Sequence, residues 1–209
     1  MTRYIDVVCH ASAVHHTKNF GDFGIHVFGH GVDKECLVLT RGALESAENV
    51  LCRVSQECMP GTALNSAECD CREEIEYSLK KMSEANKGIL VYLLGEEGRG
   101  HGIAHKIRAL ANKNKGHDTF TAIEAMGDEI DITDFSVIKP ILDFFKIRSI
   151  SCLSNSPDKI KKLEQSGVVI ESIANIPVTP NEISRRHLLA KKSRGHSISF
   201  TKGDCQNEN

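Results

Sequence analysis

The run "GILVYLL" at residues 88–94 is apolar without interruption and bounded by glycines. Such a strand faces water on neither side, so it requires a sheet covered on both faces. Its neighbours support this. "GIHVFG" (24–29), "ECLVLTR" (35–41) and "NVLCRVSQ" (49–56) are short runs rich in Val, Ile, Leu and Phe, the composition of strands. Beyond residue 70 the period changes. Ile75, Leu79 and Met82 are spaced i, i+4, i+7, which predicts a helix ending near Gly88. Ile103, Ile107 and Leu110 fall on one face of a second helix, and Ile138, Ile141, Leu142 and Phe145 mark a third. Pro140 must lie near the first turn of that third helix or kink it. "SISCLS" (149–154) is another strand, followed by "SPDKIKKLEQSG" with Ser156 as N-cap, Pro157 in the first turn and Gly167 past the end. "VVIESI" (168–173) closes the sheet. The expected fold is α/β with an α+β tendency, in which antiparallel N-terminal strands lead into alternating strands and helices in one mixed sheet.

The 209 residues carry a net charge of −2, with 26% charged and 40% apolar residues. That is ordinary for a soluble domain, and nothing in it points to nucleic acid or a membrane. Met1 is not followed by a basic and then an apolar segment, and no apolar run approaches the roughly 20 residues of a membrane span. A cytoplasmic location is expected, where thiols stay reduced.

Three of the eight cysteines, Cys58, Cys69 and Cys71, lie within fourteen positions. Cys69 and Cys71 flank Asp70, and a ten-residue loop opened by "PG" can return Cys58 to them. Three thiolates form a soft pocket suited to zinc, with a fourth position open for water or substrate. The alternative is that free cysteines serve as small buried hydrophobes, which suits the isolated Cys9, Cys36, Cys52, Cys152 and Cys205. The cluster differs from these in having Glu, Asp and Arg as neighbours.

"GEEGRGHG" (95–102) follows a buried strand and precedes a helix, where open α/β sheets place ligands. Arg99 suits a phosphate, and Glu96 or Glu97 a metal or a purine edge. "LSNSPDK" (153–159) is a second strand-to-helix junction, with Ser154, Asn155 and Lys159 available to a ligand. Either loop, taken alone, is also an ordinary turn.

The order "RVSQEC…CDC", "GEEGRGHG", "GHDTFTAIEAMGDEIDITDF" and "LSNSPDKI" resembles GTP cyclohydrolase II of riboflavin synthesis, and the likeness covers roughly residues 13–197. It implies a catalytic domain over 13–197, preceded by an N-terminal extension at 1–12, while the tail at 198–209 has little to bury and is expected to be disordered. It also implies a homodimer. The family uses zinc-activated water to open the guanine imidazole ring, expelling formate, and releases pyrophosphate. By this resemblance Cys58, Cys69 and Cys71 are zinc ligands and Asp131 is the proton acceptor. Arg53, Glu57, Glu97, Gly98, Arg99, Thr119, Ser154 and Lys159 stand at nucleotide-contacting positions. Mg2+ would accompany a nucleoside triphosphate.

The departures fall at the chemistry. Thr133 stands where the family has a catalytic arginine, and Leu110 replaces the tyrosine beside guanine. Glu74 replaces a glutamine near the phosphates, Ser55 and Gln56 replace a His-Ser pair, and Thr121, Ala122 and Ile123 replace Glu-Ala-Asn. A threonine supplies neither the charge nor the planar donor fork of arginine. Three readings follow: a zinc-dependent hydrolase acting on a C–N bond of a purine nucleotide or other heterocycle with altered specificity, an ordinary GTP cyclohydrolase II, or a non-catalytic nucleotide-binding or interaction protein.

Overall fold

A computed structural model describes residues 6–30 and 34–198. Seven strands form one sheet: β1 (Val7–Thr17), β2 (Gly21–His30), β3 (Lys34–Arg41), β4 (Val50–Gln56), β5 (Gly88–Leu93), β6 (Ile150–Leu153) and β7 (Ile170–Ala174). Their spatial order is β1-β2-β3-β5-β4-β6-β7. β1, β2, β3 and β5 pair antiparallel in turn, whereas β5, β4, β6 and β7 pair parallel. The mixed sheet expected from the sequence is therefore present. β1 begins at Val7 and runs through the expected boundary at residue 12, paired with β2.

The "GILVYL" strand is enclosed as its composition requires. Ile89, Val91 and Leu93 of β5 face a core built with Val38, Val50, Cys52 and Val54, covered by Ile138, Ile141 and Leu142 of α5 (Ile138–Phe144) and Leu163 of α6 (Pro157–Gln165). Leu90 faces the other way, onto Leu79 and Met82 of α2 (Cys71–Ala85). Burying each such aliphatic side chain contributes about 1.5–3 kcal/mol. Pro140 occupies the third position of α5, where its missing N–H is no loss.

Caps end the helices where the sequence indicates. The Ser156 hydroxyl accepts the Lys159 N–H at 3.3 Å to start α6, and α2 stops at Asn86, which is left-handed with φ 47°. The second helix forms as α3 (Ile103–Asn114), but its apolar face is only partly covered: Ile103 and Ile107 are each 48% exposed. Two single-turn helices, α1 (Met59–Thr62) and α4 (Thr121–Glu124), punctuate the loops. A final helix, α7 (Ser184–Ser193), packs back over the parallel half, with Leu188 buried beside Val178 and Ile198. The rest of the expected tail, 199–209, with Cys205, lies outside the described residues. No helix among the described residues is long and apolar enough to cross a membrane.

Candidate active site at the carboxyl ends of the parallel strands

β4, β5 and β6 run in the same direction and end along one edge of the sheet. Their exit loops surround a cavity of about 660 Å3, within the range of small-molecule and cofactor sites. β4 delivers Glu57 and Cys58, the loop after β5 delivers Gly98 and Arg99, and β6 delivers Ser154 and Asn155.

The three clustered cysteines converge there. Their sulfur atoms all lie within 4.8 Å of one another, and Cys58 Sγ is 3.6 Å from Cys69 Sγ. Tetrahedral zinc with Zn–S bonds of about 2.3 Å spaces its sulfurs by about 3.8 Å, so the thiol set fits the metal. α1 makes the turn possible: a Cβ on Gly61 would stand 2.6 Å from Cys69 Sγ and 2.9 Å from Cys58 Sγ, so only glycine fits beneath the sulfurs. Cys71 is the first residue of α2, with Asp70 as its N-cap. Hydrogen bonds from Cys69 and Cys71, with Lys106 alongside, hold the Cys58 thiol well below its ordinary range.

Asp131 lines the same cavity. Burial by itself would raise its pKa, but the Thr133 hydroxyl and backbone N–H, then Lys162 and Arg99, hold it below the ordinary value. The Thr133 N–H lies 2.9 Å from Asp131 Oδ1, and Lys162 Nζ donates to the Asp131 carbonyl at 2.9 Å. Asp131 is thus a fixed, ionised carboxylate.

Thr133 is placed differently. It is buried behind Asp131, is absent from the cavity wall, and accepts a 3.2 Å hydrogen bond from the Gln56 amide. Gln56 and Thr133, two residues expected from the sequence to depart from the resembled pattern, are thus hydrogen-bonded to each other.

The glycine-rich loop follows the left-handed region at Gly95, Gly98, Arg99, Gly100 and Gly102. A Cβ at Gly98 would stand 2.8 Å from the Gly102 carbonyl, and one at Gly100 would stand 3.0 Å from the Thr133 nitrogen. The path places the Arg99 guanidinium 4.7 Å from the Phe120 ring centre, while Arg194 lies 4.6 Å from the same centre. Burial lowers the Arg99 pKa. The two acids of the loop are both committed inside the protein. Glu96 pairs with Lys34 at 3.0 Å. Glu97 pairs with Lys106 at 2.5 Å, accepts the Met59 N–H at 2.6 Å and does not line the cavity.

Arg53 and Glu74 both line the cavity and form a buried ion pair. Arg53 also donates to Ser55 Oγ and to the Leu153 carbonyl, each at 3.0 Å, so the Glu74 carboxylate meets the cavity already matched by a guanidinium. Lys159 donates to the Val54 carbonyl at 2.9 Å. Burial first, and then Arg53, bring its pKa down to about 8. Glu57 accepts the Gly95 N–H at 2.8 Å. Leu110, Thr119 and Ser154 line the wall, with Leu110 presenting an apolar surface.

Several wall residues were not singled out in the sequence, among them Lys106, His187, Lys191 and Arg194. Lys106 hides in the polar face of α3. His187, Lys191 and Arg194 sit on or beside α7, whose "RRHLLAKKS" has too few apolar positions for a clear period. Lys191 Nζ lies 2.7 and 3.1 Å from the two Asp70 oxygens. Both ring nitrogens of His187 are buried without a hydrogen-bond partner.

Comparison with known proteins identifies a family for the chain. The family model described as GTP cyclohydrolase II matches residues 9–175. The riboflavin biosynthesis protein RibBA of Aquifex aeolicus is 37% identical over 187 residues, 88% of this chain and 46% of that protein. GTP cyclohydrolase-2 of Neisseria meningitidis (serogroup C strain FAM18) is 33% identical over 195 residues, 93% of this chain and 98% of that protein. The chain thus spans about half the length of the RibBA relatives it matches and nearly all of the Neisseria protein. Among solved structures it aligns with RibBX, a two-domain 3,4-dihydroxy-2-butanone 4-phosphate synthase from A. baumannii, at 17% identity and a TM-score of 0.44, covering 83% of this chain and 41% of that one. With its family model matched over most of the sheet and its cysteines gathered at the carboxyl ends of the parallel strands, the chain belongs to the GTP cyclohydrolase II family.

Proposed function

We propose that residues 13–197 form a zinc-dependent hydrolase acting on a C–N bond of a purine nucleotide or related heterocycle, with specificity altered from that of its family. The observation that carries this reading is the shared cavity of three convergent cysteine sulfurs and an ionised Asp131. Cys58, Cys69 and Cys71 would hold the metal, which in an open three-ligand setting activates water near neutral pH.

The chain's own residues supply the rest. Asp131, kept deprotonated by Thr133 and Lys162, accepts a proton on its free carboxylate oxygen and returns it to the departing nitrogen. Arg99 and Lys159 offer positive charge to an anionic substrate, and Leu110 packs against a flat ring without a hydrogen bond to it. Thr133, buried against Gln56, has no route to a phosphate. The reaction predicted from GTP with Mg2+ is therefore ring opening with the triphosphate retained. The reading includes a homodimer in the cytoplasm, the first of which particle size in solution tests.

A second reading, ordinary GTP cyclohydrolase II, is favoured by two observations. The likeness to the Neisseria enzyme runs nearly its full length, and Arg53 cancels the Glu74 charge that would otherwise repel a polyanion. One incubation separates the two. Zinc-loaded protein is mixed with GTP and Mg2+, and formate, pyrophosphate and nucleotide mass are followed together. Ring-opened or formylated nucleotide still bearing three phosphates supports altered chemistry. Formate with stoichiometric pyrophosphate establishes the ordinary enzyme. No change in protein of proven zinc content removes GTP as the substrate.

A further inference from the structure

Three thiolates around a divalent cation leave an excess of negative charge and donate strongly to it, which weakens its power to activate water. The structure holds a counterweight outside the ligand set. Lys106, one turn into α3, points its ammonium at the cysteine cluster, with Nζ 2.9 Å from Cys58 Sγ. Its other partner is Glu97 Oε1 at 2.5 Å. The second Glu97 oxygen accepts the Met59 N–H at 2.6 Å, at the head of the short helix that directly follows Cys58. Glu97 is 3% exposed, so it ties the lysine and the ligand-bearing turn into one frame.

The glycine loop makes the approach possible. A Cβ at Gly98 would stand 3.2 Å from Lys106 Cβ and 2.8 Å from the Gly102 carbonyl. A side chain there would push α3, and Lys106 with it, away from the sulfur. Four other lysines around the cavity have different partners: Lys113 pairs with Glu68, Lys159 donates to the Val54 carbonyl, Lys162 pairs with Asp131 and Lys191 with Asp70.

We infer that Lys106 is a positioning and tuning residue for the metal centre, whose N–H···S hydrogen bond withdraws electron density from the Cys58 sulfur and keeps the bound metal electrophilic. Because Glu97 returns much of the lysine's charge, the effect resides in the directed hydrogen bond more than in net charge. Outer partners of metal ligands typically change affinity or activity by about 10–100-fold. The inference rests on the reading of Cys58, Cys69 and Cys71 as metal ligands.

Cobalt substitution tests it, because sulfur-to-cobalt charge-transfer absorption reports thiolate donation directly. Wild-type protein, Lys106→Met and Lys106→Arg are loaded with Co2+, and cobalt content and near-ultraviolet spectra are recorded. One cobalt per chain is expected in all three. The Lys106→Met band should move to longer wavelength, because a sulfur relieved of its hydrogen bond donates more readily, and Lys106→Arg, which keeps an N–H donor, should lie near the wild type. Turnover of zinc-loaded Lys106→Met should fall about 10–100-fold with the arginine variant partly rescued. An unmoved band in cobalt-loaded Lys106→Met overturns the inference, as does failure of that variant to bind cobalt, which would make Lys106 a determinant of site formation. A wild-type protein with no thiolate band overturns the metal reading itself, an outcome distinct from the other two.

Discussion

The two halves of the sheet use the same kinds of residue to different ends. In the antiparallel half, β1 is mostly exposed along its length, and none of the cavity-lining residues precedes Arg53. In the parallel half, β4, β5 and β6 are almost wholly buried, and each ends at the cavity. The difference follows from direction. Antiparallel neighbours send successive loops to opposite edges, whereas parallel strands deliver every exit loop to one edge, where several functional groups can meet. The antiparallel half is scaffold, and the parallel half carries the site.

The largest expected effect is on the parallel side. Asp131→Asn removes the proton acceptor and should lower turnover by about 10²–10⁴-fold, with zinc content unchanged. A fully active variant would remove Asp131 from the mechanism. On the scaffold side the same-sized insult should read out as stability. Phe28 is fully buried, with its ring centre 4.9 Å from that of Phe144 and 5.8 Å from that of Phe145. Phe28→Ala should cost about 3–5 kcal/mol in urea unfolding, with turnover per folded molecule unchanged. Lost turnover in folded protein would erase the division of labour.

Acid should act through the site half. Burial first, and then Lys191, bring His187 down to about 4 from 6.5. Burial does the same for His196, also to about 4. The unfolded chain takes up these protons near pH 6.5 and the folded protein only near pH 4, so stability is full above 6.5 and falls as pH drops between the two. For His187 the loss at pH 5 is about 2 kcal/mol, and His187→Gln should flatten the slope. A urea midpoint that is level from pH 7 to pH 5 would contradict this. The smallest effect lies back on the scaffold. His16 and Asp22 pair at 2.8 Å but are exposed, and His16→Ala should change stability by less than about 0.5 kcal/mol.

Legibility followed the same division, though not completely. β2 to β7, α2, α3, α5 and α6 could be read because their apolar residues repeat at periods the backbone imposes, and Ser156, Pro157 and Gly167 punctuate α6 as its capping requires. β1 was missed because an edge strand written "VVCHASAVHHT" has little to bury. α7 was missed because its contribution is made by polar side chains. The cysteines were legible as a set because three soft ligands in fourteen positions have few other uses. The placement of Thr133 behind Asp131, and the pairing of Glu74 with Arg53, depend on contacts across 77 and 21 residues of chain that no local pattern encodes.

α7 has a consequence for what holds the site together. The family match stops at residue 175, yet Lys191 supplies the ammonium facing Asp70, a carboxylate 5% exposed between Cys69 and Cys71. Removing α7 would strand an uncompensated charge between two of the three sulfurs. The helix therefore belongs to the working unit, and a protein without it would keep the cysteines and lose the ammonium that faces the carboxylate between two of them.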